Sequence, residues 1–230
     1  MIFKNSNIII FQSPFQTELF IKYNENLFVD GTFYIAPIFA YQVFITRVYV
    51  PEINSFYTTS LSILNNKEQA TYELLFEELK KNASKYNNNI IVTPKILHCD
   101  FEKGISNAAI KIFPNITIKY CVWHYKRSLE VQKNKLCYNE VKNNHKIYLF
   151  YNAITNFPFI NPEYIYDIYN YIKIICQIYN YFNFLNFLEY FNKTYLYKYD
   201  IQYWNYYNDI NHITNNASES CFTKNLLSMN

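Results

Sequence analysis

Three runs between Asn26 and Leu64 decide the fold: N-L-F-V-D-G-T (26–32), A-Y-Q-V-F-I-T-R-V-Y-V (40–50) and S-F-Y-T-T-S-L-S-I-L (55–64). All are rich in β-branched and aromatic residues, short links join them and Pro51 closes the second, so they predict an antiparallel meander. Downstream the period changes. Ala70, Leu74, Leu75, Leu79 and Ala83 recur at helical spacing across Lys67 to Tyr86, with Asn65 and Asn66 available as caps. Lys95 to Cys99 returns to strand, Phe101 to Phe113 reads as a helix stopped by Pro114, and Ile116 to Val122 is the next strand. A meander followed by alternating helices and strands specifies an α/β layer fold with a mixed sheet. Past Trp123 the strand signals fade. Ile165, Ile168, Tyr169, Ile172, Ile175, Cys176 and Tyr179 then trace one apolar helix stripe, which predicts a helical insertion. The Asn-, Tyr- and Phe-rich piece from Tyr179 to Tyr190 is open between a helix and a disordered segment.

Composition narrows the class. With 230 residues, half of them apolar, the chain can bury a substantial core. Its longest apolar stretch, Ile165 to Phe191, is broken by polar residues every few positions, so no membrane span of about 20 apolar residues is expected. Met1 to Phe11 lacks the layout of a signal peptide. Five irregularly spaced cysteines favour a reducing compartment over a disulfide framework. Residues with AT-rich codons dominate, whereas glycine occurs only twice and arginine only at Arg47 and Arg127. A glycine retained under that pressure points to a backbone needing positive φ or close approach.

Both glycines sit near an acid. Asp30 precedes Gly31, Asp100 stands four residues before Gly104 in C-D-F-E-K-G, and each acid ends a strand-like run. A third candidate, Glu219, lies in T-N-N-A-S-E-S, which reads as the start of a final helix. Each acid has an ordinary use as well: Asp30-Gly31 as a hairpin turn, Asp100 as a helix N-cap, and Asn216 with Glu219 as a capping box. Brought together, three ionised carboxylates would repel by about 4 kcal/mol per pair at 4 Å and an effective dielectric of 20, so they cluster only around cations. Such oxygen ligands suit Mg²⁺ or Mn²⁺ better than zinc, and two ions roughly 4 Å apart would serve an in-line phosphoryl displacement.

The ordered set F-V-D-G-T-F, Y-Q-V-F, L-N-N-K-E-Q-A-T-Y, C-D-F-E-K-G, F-P-N-I-T-I-K-Y-C-V-W-H, and Y-W-N-Y-Y with T-N-N-A-S-E-S resembles the transposase domain of Mutator-like elements, from about residue 13 to the C-terminus. The resemblance implies an RNase H-like α/β fold: a mixed five-stranded sheet, flanking helices, and an α-helical insertion before the last catalytic residue. It divides the chain into a lead segment (1–25), a core (26–135), the insertion (136–213) and a C-terminal helix (214–230). It also implies a DDE triad in which Asp30, Asp100 and Glu219 are catalytic and ligate Mg²⁺ or Mn²⁺, with two ions in the site. The implied activity is DNA strand cleavage and strand transfer by a homo-oligomer on double-stranded transposon-end and target DNA, in the nucleus and without a membrane. Two positions depart from the family pattern: Ile213 stands where an arginine is common, and Ser218 where an apolar residue is usual. The chain ends eleven residues after Glu219 and shows no N-terminal zinc-binding DNA-recognition domain, which fits a fragment or a decayed copy. A non-enzymatic descendant that binds DNA or protein is therefore the second reading. A small-molecule enzyme is disfavoured, since no glycine-rich phosphate loop exists.

Charge and the Cys-x-x-His pair add two further expectations. From Lys111 to Lys146 eight basic residues face only Glu130 and Glu140, so Lys119, Lys126, Arg127, Lys133 and Lys135 form the candidate DNA-binding surface, with a solvated helix face as the plain alternative. Cys121 and His124 match a family signature and are expected to be structural or DNA-facing. Zinc held with Cys137 and His145 is disfavoured, because the spacing fits no standard finger.

Overall fold

The computed structural model describes residues 1–33, 35–87 and 90–208. It divides into two units, the first covering residues 1–119 and the second beginning at Tyr120. Along the first run β1 (Phe3–Lys4), β2 (Ile8–Phe11), α1 (Pro14–Tyr23), β3 (Asn26–Thr32), β4 (Gln42–Val50), β5 (Ser55–Leu64), α2 (Gln69–Tyr86), β6 (Ile96–Cys99), α3 (Lys103–Ile112) and β7 (Thr117–Tyr120). The strands form one mixed sheet in the order β1-β2-β5-β4-β3-β6-β7. The meander is β3, β4 and β5, antiparallel through pairs such as Asp30↔Ile45 and Val43↔Ile63. On the other side of β3, β6 runs parallel, with Phe28 opposite His98.

The sheet has seven strands where five were expected. The two extra strands come from the lead segment: Ile8 and Ile10 are buried and pair with Leu64 and Ser62 along β5, whose edge would otherwise be open. A capping box then starts α1, with Ser13 Oγ accepting from Gln16 N, Gln16 Oε1 accepting from Ser13 N, and Pro14 in the first turn. The buried stripe of α2 is Tyr72, Leu75, Phe76, Leu79 and Ala83, while Ala70 is exposed, so the true face is rotated toward its aromatics. Its N-cap position is Glu68, and Asn66 instead uses Oδ1 to accept from Glu68 N and Thr71 Oγ1.

In the second unit α4 (Val122–Leu136), α5 (Tyr138–Asn143), α6 (His145–Thr155), α7 (Ile165–Ile178) and α8 (Phe182–Phe191) follow one another. The stripe of α7 buries Ile165, Tyr169, Ile172 and Cys176. The Asn/Tyr/Phe-rich piece is helical, because Phe184, Phe187, Leu188 and Phe191 of α8 are buried together. Trp204 closes an aromatic core: its ring stacks on Tyr125 at 5.5 Å and its Nε1 donates to Tyr195 O at 3.1 Å. No described helix is long and apolar enough to cross a membrane.

Candidate metal centre

Parallel pairing of β3 and β6 builds the site. Phe28 and His98 are register partners, and their rings stack at 4.3 Å. Alternate residues of an extended chain share a face, so the acids two positions further on, Asp30 and Asp100, arrive side by side. A carboxylate oxygen of each lies within 4.8 Å of the other, and both residues are half-buried. Two ionised carboxylates at that separation repel by about 3 kcal/mol at an effective dielectric of 20, which a cation between them would reverse. They stand at the carboxyl ends of neighbouring strands where the sheet changes from antiparallel to parallel, the usual ligand position in open α/β sheets.

The ordinary uses of these acids do not hold. Strand pairing continues through Gly31↔Phe44 to Thr32↔Val43, so Asp30-Gly31 is no hairpin turn. Glu102, not Asp100, occupies the N-cap position of α3.

A partly buried chain of polar groups supports the turn that carries Asp100. Gln42 Nε2 donates to Tyr72 OH at 2.7 Å, Tyr72 OH donates to Glu102 Oε1 at 2.6 Å, and Lys67 Nζ meets Glu102 Oε2 at 2.9 Å. Glu102 N in turn donates to Asp100 O at 2.7 Å. Burial pushes the Tyr72 hydroxyl well above its ordinary range, and its bond to the Glu102 carboxylate and the nearby Asp100 charge add to that. Both glycines make room for this chain. A Cβ on Gly31 would overlap Gln42 Oε1, and one on Gly104 would sit 3.1 Å from Lys67 O and 3.4 Å from the Tyr72 ring.

Residues 26–128, which span β3 to the first half of α4 and include both aspartates, match the family model of the MULE transposase domain. Over this stretch the chain is similar to a Mutator-like transposase domain. No curated protein matches the chain.

Asp30 and Asp100 make a pair able to contribute to a metal site. His124 lies in the first turn of α4, in the second unit. Among the described residues, Cys121, Cys137 and His145 join no such group. Cys137 is buried, and that burial, reinforced by Glu140, pushes its thiol up to about 12, unlike a zinc-ready thiolate. The third expected acid, Glu219, lies outside the described residues, as does its capping partner Asn216.

The basic stretch is less uniform than its sequence. Lys126, Arg127 and Lys135 are exposed on α4, with Lys126 over the Phe159 ring at 5.4 Å and Arg127 over Trp123 at 4.7 Å. Lys133 is bound to Glu130 at 2.5 Å, lies over the Tyr151 ring, and keeps only 15% of its side chain exposed. Lys119 lies in β7 and is half-buried.

Proposed function

We propose that this chain is a DDE-type transposase that cuts and joins DNA in a divalent-metal-dependent reaction. The observation that carries the reading is the placing of Asp30 and Asp100 within 4.8 Å at the ends of parallel neighbours, inside the MULE match. Five contiguous strands, β3 to β7, support an RNase H-like core to which β1 and β2 are added. In this reading Asp30 and Asp100 hold the cation, and Glu219 is the remaining carboxylate. When bound, the metal would activate the attacking water or 3′-hydroxyl and stabilise the leaving oxygen. The protein's own part is to bind the phosphodiester and keep two like charges adjacent. The carboxylates fit Mg²⁺ or Mn²⁺, so both ions are expected to support activity. Nuclear location and a homo-oligomer on DNA belong to the same proposal.

The test is strand cleavage of duplex DNA carrying element ends, with Mg²⁺, with Mn²⁺ and with chelator. Cleavage should require the cation and disappear in Asp30→Asn and Asp100→Asn, while DNA affinity stays near the parent value because backbone contacts remain. Undiminished cleavage by either variant would remove that residue from the centre.

A further inference from the structure

Beside the carboxylate pair, the segment joining β3 to β4 exposes what a protein normally hides. Phe33, Ile35, Ile38, Phe39 and Tyr41 keep 49%, 51%, 107%, 70% and 51% of their surfaces open. A solvated turn would use polar residues here; five large apolar side chains within nine positions mark a binding surface. Two of them are held in place. Phe33 and Tyr41 meet edge to face at 5.5 Å, and the Lys67 ammonium sits 4.6 Å from the first ring and 5.8 Å from the second. Lys67 is itself anchored to Glu102, on the turn that carries Asp100.

From this arrangement we infer that Phe33, Tyr41 and Lys67 form a stacking platform for an unpaired nucleobase of the DNA strand whose phosphate lies at Asp30 and Asp100. The inference rests on the DNA-cutting reading above and extends it to the conformation of the substrate. Ring faces accept any base, and an ammonium fixed beside them attracts the phosphate that base carries. Phe33 lies three residues past Asp30, about 10 Å along an extended chain, the reach of roughly three nucleotides at a rise of about 3.4 Å. An apolar protein partner would have no use for a cation over both rings, so charge complementarity favours the nucleotide.

The experiment compares the full chain on two probes at fixed salt: an intact duplex, and the same duplex with a three-nucleotide gap opposite unpaired 2-aminopurine. The platform predicts about ten-fold tighter binding of the gapped duplex and quenching of the 2-aminopurine as it stacks. The double variant Phe33→Leu/Tyr41→Leu keeps apolar bulk but removes the rings. It should erase both the preference and the quenching while leaving intact-duplex affinity unchanged. A preference that survives in the variant, or is absent from the parent, overturns the platform, as does a self-association of the parent that the variant abolishes. Equal binding of both probes with cation-dependent cleavage intact sinks the platform alone. Failure of the parent to bind either DNA sinks the DNA reading with it.

Discussion

Gly31 and Gly104 have one structural reason between them, close approach to the Gln42–Tyr72–Glu102–Lys67 chain, and neither has positive φ. Their rarity made them legible as important; which of two glycine uses applied was not, because that depends on side chains distant in sequence. The consequences of substitution differ. Gly31→Ala must displace the Gln42 amide from Tyr72 and is expected to cost about 1–3 kcal/mol by urea unfolding. Gly104→Ala meets a looser contact and gains up to about 1 kcal/mol of helix propensity in α3, so it should be nearly neutral. Equal effects would refute the steric account. Tyr72 makes a separate prediction in pH. Its folded pKa is raised, so above about pH 10 the unfolded chain releases a proton that the folded chain retains, and stability falls as pH rises. Other buried tyrosines, such as Tyr125 and Tyr195, contribute in the same sense. Tyr72→Phe should therefore lower the slope of stability against pH above pH 10 by about 1.4 kcal/mol per unit, whatever offset its missing hydrogen bonds impose. An unchanged alkaline slope would mean that Tyr72 titrates normally.

At the scale of elements, β3 and β5 were legible to their observed ends because long β-branched runs are bounded by clear breaks. The strands β1 and β2 were not: two and four residues are too short to show a period, and their strand state depends on the open edge of β5. Tertiary context also shifted the face of α2, where Tyr72 and Phe76 outrank the alanine and leucine that a simple apolar count selects. In α4, charge counting could not separate cations directed at solvent from one bound within the fold. That separation has a measurable consequence. Replacing Lys126, Arg127 and Lys135 by Gln should flatten the slope of log K against log salt for duplex DNA by about 0.9 for each phosphate no longer neutralised. Lys133→Gln should leave the slope alone and instead destabilise the protein, since it removes the ammonium paired with Glu130 and the cover on Tyr151. A slope that responds to Lys133 as strongly as to the exposed three would restore a uniform basic face.

Across the molecule, 25 tyrosines and 20 phenylalanines blur aromatic patterning, so the sequence announced helices after Trp123 without saying which residues form their shared core. The assembly of Tyr125, Tyr195, Phe191 and Trp204 is a property of the folded second unit only. The adjacency of Asp30 and Asp100 was more accessible, since two strand-ending acids need only parallel pairing to meet. A cation bound there should stabilise the native state over the unfolded one by RT ln(1 + [L]/Kd), about 2.7 kcal/mol at a hundredfold excess over Kd. Both tryptophans lie beyond Tyr120, so intrinsic fluorescence is a poor reporter on the first unit. Amide exchange in β3 and β6 reads it directly. For amides that exchange only through unfolding, saturating Mn²⁺ should slow exchange up to about a hundredfold. Asp30→Asn should lose most of that protection while keeping its metal-free exchange pattern, because the fold of β3 rests on its ladder and its apolar residues. Full protection of Asp30→Asn by Mn²⁺ would show that the stabilising ion sits elsewhere, and the carboxylate pair would then need another explanation.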